Sequence, residues 1–154
     1  MNCNINVELL PKAEELETLA QAETFCPVDW AKNVADIARM NNCGKSVMCR
    51  DGMNQLWTII NDITIGKAES TDLDLLADLC NVIVSCEGCE IAGKAAELIG
   101  KSISLYSEEW EAHIKRKRCT KRVCEVLAAN MPVIPQRPVG EDGAPRRRRR
   151  KSAE

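Results

Sequence analysis

The segment Cys43-Gly44-Lys45-Ser46-Val47-Met48-Cys49-Arg50 sets two thiols six residues apart on a glycine-containing turn, and Cys89 follows forty residues later. Iron in an iron–sulfur cluster is held by thiolate, and backbone N–H groups of a tight turn such as Cys43-Gly44 can point at the cluster sulfides. Lys45 and Arg50 add positive charge, which lowers thiol pKa values. Thiols, N–H donors and cations are what a cluster pocket needs. Cys89 can join Cys43 and Cys49 only if the helices between them fold back.

A second set is His113, Cys119 and Cys124. An imidazole and two thiolates at spacings of six and five are acceptable zinc ligands, with Cys80, Cys86 or a partner's residue as the fourth. A surface histidine among the lysines and arginines of a solvated helix is the competing reading. Nothing resembles a Ser-His-Asp triad, a carboxylate pair or a phosphate loop, so no catalytic residue is assigned.

The elements that must position these residues read as helices. One Phe, one Tyr and three Trp among 154 residues suit amphipathic helices better than strands. Residues 12 to 22 form an expected first helix, with Leu16 and Leu19 inward. After Pro27, Asp29 can cap a second helix through Trp30, Val34 and Ile37, ending at Asn41-Asn42. Met53, Leu56, Trp57, Ile60 and Ile63 make a stripe that stops at Gly66. Ser70-Thr71-Asp72 starts a helix carrying Leu73, Leu76, Leu79, Cys80 and Ile83. Cys89 opens another, whose Ala92, Gly93, Ala96 and Gly100 permit close approach to a neighbour or a cofactor. Residues 108 to 128 form the last expected helical region, basic between Lys115 and Arg122. The fold class is all-α: a four-helix-bundle-like domain at 41–128, an N-terminal helical extension at 1–40, and a disordered Pro/Gly/Arg-rich tail at 129–154.

Nine cysteines, at positions 3, 26, 43, 49, 80, 86, 89, 119 and 124, exceed what an ordinary domain needs. The start shows no signal peptide and no run of eighteen apolar residues exists, so a reducing, cytoplasmic setting with thiols kept as ligands is expected. Cys80 continues an apolar helix face and reads as a small buried hydrophobe, as do Cys3 and Cys26. Cys43 and Cys49 sit in a polar turn and do not. The net charge of −2 hides an asymmetry: without Arg146–Glu154, the remainder has 15 basic against 22 acidic residues. An acidic body argues against nucleic-acid binding except through the arginine tail.

Cys43-Gly44-Lys45-x-x-x-Cys49-Arg50-x-Gly52, the Asp72-Leu73-Asp74-Leu75-Leu76 helix, Cys89, and Glu111-Ala112-His113-Ile114 to Cys119 resemble the C-terminal iron–sulfur domain of the NADH- and flavin-binding subunit of respiratory complex I. The same domain occurs in NAD-dependent hydrogenases and formate dehydrogenases. The resemblance runs from about Asn41 to Cys124. It implies a [4Fe–4S] cluster in a four-helix bundle, passing electrons on from the flavin. The family pattern is Cys-x-x-Cys-x-x-Cys with a fourth cysteine roughly forty residues later. By position Cys43, Cys49 and Cys89 are three of its ligands, and Ser46 stands where the second cysteine falls. Ser46 as an alkoxide, Cys86 in its place, a [3Fe–4S] cluster on three thiolates, or loss of the cluster are the alternatives. The NADH and flavin machinery has no counterpart, since no G-x-G-x-x-G loop is present. The expected function is therefore an electron relay serving a flavin- and NADH-binding oxidoreductase subunit or hydrogenase-like complex. The alternatives are a helical assembly or regulatory module with a degenerate cluster, and a redox sensor whose arginine tail engages nucleic acid.

Overall fold

The computed structural model describes residues 7–19, 22, 24–86, 88–125 and 127. The arginine tail and Cys3 lie outside the described residues, as does most of 126–128. Among the described residues there are six α-helices: α1 (Ala13–Leu19), α2 (Pro27–Asn41), α3 (Met53–Thr64), α4 (Asp72–Ser85), α5 (Glu90–Leu105) and α6 (Ser107–Lys115). The protein is all-α, as its composition implies.

Each of the four longest helices buries one stripe. Val28, Ala31, Val34, Ala35 and Ala38 face inward on α2; Met53, Leu56, Ile60 and Ile63 on α3; Leu76, Cys80 and Ile83 on α4; Ile91, Ala92, Ala95, Ala96 and Ile99 on α5. α2 packs on α3 and α5, and α5 packs on α4. Alanines let α2 and α5 approach closely. The glycines of α5 do not take this part, because a Cβ built at Gly93 or Gly100 would meet nothing within 4 Å.

The short α6 lies against all four of these helices and closes one end of the bundle. Its Trp110 is fully buried; the indole Nε1 donates to Ser102 Oγ at 3.3 Å, and that hydroxyl donates to Pro27 O at 3.3 Å. This chain of bonds ties α6 and α5 to the first residue of α2. Burying an indole and satisfying its N–H together make such a contact worth several kcal/mol. Tyr106 ties down α1 by donating to Leu16 O at 2.8 Å.

Three boundaries differ from expectation. α1 covers only Ala13–Leu19. α2 starts two residues before Asp29: Pro27, with its pre-set φ, takes the first helical turn, and Cys26 in extended conformation is the N-cap. The last helical region breaks after Lys115, and the basic segment becomes a loop with Lys117 (φ 48°) and Arg122 (φ 56°) in left-handed conformation. The reason is geometric. A continuous helix would put Cys124 about 16 Å along the axis from His113, whereas the fold turns Cys119 and Cys124 back onto it. Thr120 holds the reversal, its N–H donating to Glu109 Oε1 at 3.1 Å. No described helix is long and apolar enough to cross a membrane.

Candidate metal centres

The first centre is built from two turns. At the end of α2, Asn41 Nδ2 donates to Ile37 O at 2.7 Å and Asn42 Nδ2 to Arg39 O at 2.9 Å, while Asn42 Oδ1 accepts the Gly44 N–H at 2.9 Å. These short side chains end the helix by competing with its backbone bonds. Gly44 takes φ +65°, a conformation that costs glycine little, and this reverses the chain directly after Cys43. Arg39 lies 4.1 Å from the centroid of the Trp57 ring, holding the end of α2 against α3.

From Ser46 the chain winds into a wide turn, Met48–Gly52, in which the Met53 N–H reaches back five residues to Met48 O. Such a turn inserts one residue into a helix and re-aims its side chains. Ser46 caps it, its Oγ accepting the Cys49 N–H at 3.1 Å. The Ser46 N–H in turn points at Cys49 Sγ, 3.3 Å away. Cys49 is buried and Cys43 half-exposed, with their sulfurs 3.8 Å apart. Cys89 arrives from the far side as the N-cap of α5. The three sulfurs all lie within 4.8 Å of one another. Burial pushes the Cys89 thiol up, and the Cys43 and Ala92 backbone amides oppose this.

Cys86 is exposed at the end of α4 and stands outside this group. Lys45 is exposed, and the Arg50 guanidinium is turned to Asp51, with Nε 3.2 Å from Oδ1. Asp51 raises the Arg50 pKa, with Cys49 the smallest contributor. The expected positive charge on the thiols is therefore mostly met by a neighbouring carboxylate.

The second centre contains a residue that sequence reasoning set aside. His113, Cys119 and Cys124 come together with Cys26, all four buried and with ligand atoms within 4.8 Å of one another. Cys26 Sγ lies 3.4 Å from His113 Nε2 and 3.8 Å from Cys124 Sγ, and Cys124 Sγ lies 3.5 Å from the same nitrogen. His113 Nδ1 is 2.8 Å from Glu109 O. A carbonyl can only accept, so Nδ1 donates a proton there, and Nε2 faces the thiols. Neither Cys80 nor Cys86, the candidates for a fourth ligand, belongs to this group. Cys80 faces the groove between α4 and α5, and burial pushes its thiol up to about 12.

A tetrahedral zinc with Zn–S of about 2.3 Å and Zn–N of about 2.05 Å requires S···S edges of ~3.8 Å and S···N edges of ~3.5 Å. The three edges among Cys26, His113 and Cys124 match these values, and the Cys119 sulfur lies within 4.8 Å of each. Burial lowers the His113 pKa, but bonds to Cys119 and Cys26 outweigh it and raise it to about 10. The Cys124 and Cys26 thiols hold Cys119 down, and the Cys119 and Cys26 thiols push Cys124 up.

Residues 29–113, more than half the chain, match the family model of the NADH-ubiquinone oxidoreductase-F iron-sulfur binding region. The chain belongs to that family. The match starts inside α2, twelve residues before Asn41, in keeping with the packing of α2 on α3 and α5. The NADP-reducing hydrogenase subunit HndC of Solidesulfovibrio fructosivorans is 33% identical over 105 residues, 68% of this chain and 21% of HndC. The F subunit of the NADH-quinone oxidoreductase of Streptomyces coelicolor is 33% identical over 97 residues, 63% of this chain and 22% of that protein. The F 2 subunit of the corresponding Rhizobium meliloti oxidoreductase is 28% identical over 97 residues, 63% of this chain and 23% of that protein. The chain thus spans about a fifth of the length of these relatives. Family and converging thiols together make a [4Fe–4S] cluster the cofactor of this domain. The donor set fits it: three thiolates from separate turns and an N–H aimed at one sulfur. A cluster puts each thiolate on its own iron and needs a wider triangle than a single ion does. Rotation of the Cys43 side chain can widen the two edges it makes, and the edge between Cys49 and Cys89 widens only if the turns that carry them move apart.

Proposed function

We propose that this protein relays single electrons through a cluster held by Cys43, Cys49 and Cys89, as a subunit or partner of a flavin- and NADH-binding oxidoreductase or hydrogenase-like complex. The observation that carries the reading is the meeting of three thiols from two turns forty residues apart, inside a domain of this family. The cluster supplies the redox chemistry. The chain supplies burial at Cys49 and Cys89, the Ser46 N–H, and a half-exposed edge at Cys43 through which an electron can enter or leave. Names of the relatives support the partner class, since they are subunits of a hydrogenase and of quinone-linked NADH oxidoreductases. Among the described residues none is given a catalytic role in this scheme.

The second centre, on the same proposal, is a structural zinc site with Cys26, His113, Cys119 and Cys124 as ligands. Four protein donors leave no open position, so the ion holds structure and performs no reaction. It clamps the start of α2 to α6 and the basic loop after it. Ser46 in the family's cysteine position favours one rival, a helical assembly module without a working cluster.

Anaerobic purification, iron, sulfide and zinc analysis, and EPR after dithionite reduction test all of this. About four irons per chain with a reduced-cluster signal is the expected result; a colourless, iron-free, folded protein would leave the assembly module instead. Transfer is tested by reduction of the cluster by an NADH-reduced flavoprotein of this class.

A further inference from the structure

We propose that the cluster is anchored by three protein ligands only, and that its fourth iron faces solvent beside Ser46 and takes a small soft anionic donor, a low-molecular-weight thiolate. This rests on the cluster reading above and adds a ligand site to it. Among the described His, Cys, Asp and Glu residues, only Cys43, Cys49 and Cys89 converge at this end of the bundle. Cys86 is exposed and outside this group, although it lines a cavity together with Cys89.

Ser46 does not stand idle where a ligand would be needed. Its hydroxyl oxygen accepts the Cys49 N–H at 3.1 Å, so a lone pair is engaged in capping the turn that carries Cys49. Its own N–H and C=O lie 3.3 and 3.2 Å from Cys49 Sγ. To bind iron the side chain would have to leave the cap and lose a proton of very high pKa, becoming a hard oxygen donor on a metal that prefers sulfur. Ser46 is therefore a positioning residue: it fixes Cys49 and aims an N–H at its sulfur.

The corner it occupies is accessible. Ser46 is half-buried, and Lys45 and Val47 on either side are exposed, Val47 at 58%. A small anion can reach an iron there, and the Lys45 ammonium favours negative charge. A thiolate matches the iron as the cysteines do.

The test uses the full chain, reconstituted anaerobically without thiol reductants. Ser46→Asn keeps a capping oxygen but has no hydroxyl to ionise; Ser46→Cys restores a fourth sulfur; Cys86→Ala removes the exposed thiol. Addition of 2-mercaptoethanol should shift the EPR signal of the reduced cluster in the natural protein, in Ser46→Asn and in Cys86→Ala, and leave Ser46→Cys unchanged. One equivalent of ferricyanide should release about one iron in four. In that step [4Fe–4S]2+ becomes [3Fe–4S]+ and Fe2+, and the electron reduces ferricyanide to ferrocyanide. Release should be at least ten times slower in Ser46→Cys. A natural protein whose signal ignores the thiol while Ser46→Asn responds to it would make the serine a ligand, and the same pattern with Cys86→Ala would make Cys86 one; either overturns the proposal while leaving the cluster in place. Absence of iron from the natural protein would overturn the cluster reading as well.

Discussion

The two thiol centres use the same side chain for different ends. At Cys43, Cys49 and Cys89 the donors come from turns at the bundle's edge, Cys43 is only partly buried, and no fourth His, Cys, Asp or Glu among the described residues joins them. At Cys26, His113, Cys119 and Cys124 every donor is buried, and the three edges among Cys26, His113 and Cys124 have tetrahedral lengths. Exposure and donor number separate the two. An electron carrier needs a route to its surface, whereas a clamp works best when water and competing ligands are kept away.

This contrast is tested most severely at the zinc proposed for the buried centre. Stripping zinc with a chelator should free the chain after Lys115 and lower the melting temperature by many degrees, since saturation at 100-fold over Kd contributes about 2.7 kcal/mol. Differential scanning calorimetry with and without added Zn2+ measures this; an unchanged transition would mean that no ion is clamped there. Next in size, Trp110→Ala should destabilise the fold by about 3–5 kcal/mol in urea unfolding, because it empties the space under α6 and takes away the donor to Ser102 Oγ. A loss below about 1 kcal/mol would disconnect α6 from the bundle.

A pair of variants then separates the centres. Cys49→Ala should lose its iron and keep about one zinc, and Cys26→Ala should do the reverse, both read by metal analysis of purified protein. Loss of both metals in either variant would merge the two centres into one. The smallest effect is expected at Cys80. Its native thiol holds its proton up to about 12 while an unfolded chain releases it near 9. Between those values the unfolded state binds fewer protons, so stability falls as pH rises above about 9. Cys80→Ala should flatten that decline, and iodoacetamide at pH 8 should label Cys86 and spare Cys80.

How far the sequence was legible depends on where each cysteine sits. Cys43 and Cys49 stood out because they lie in a polar turn and not on a helical stripe. The same criterion applied to Cys26, directly before the helix-starting Pro27, would have found the fourth donor of the buried centre. Cys26 by itself reads as a small buried hydrophobe, and nothing near it in the chain marks it as a ligand. The break after Lys115 was missed because Arg116 to Arg122 has no proline or glycine to announce it. Two non-glycine residues in left-handed conformation make that turn, held by Glu109 from the neighbouring helix.

Helical class, the inward stripes and the cysteine turn at 43–49 followed from local pattern, since periodicity and turn residues act over a few positions of the chain. Which sulfur meets which was decided only by the packing. α2, α5 and α6 bring Cys26 against His113, 87 residues away in the chain, and they leave Cys86 exposed three residues from Cys89. A donor set is a property of space, and a side chain three residues off on an extended turn can point elsewhere while one from a distant helix completes the site.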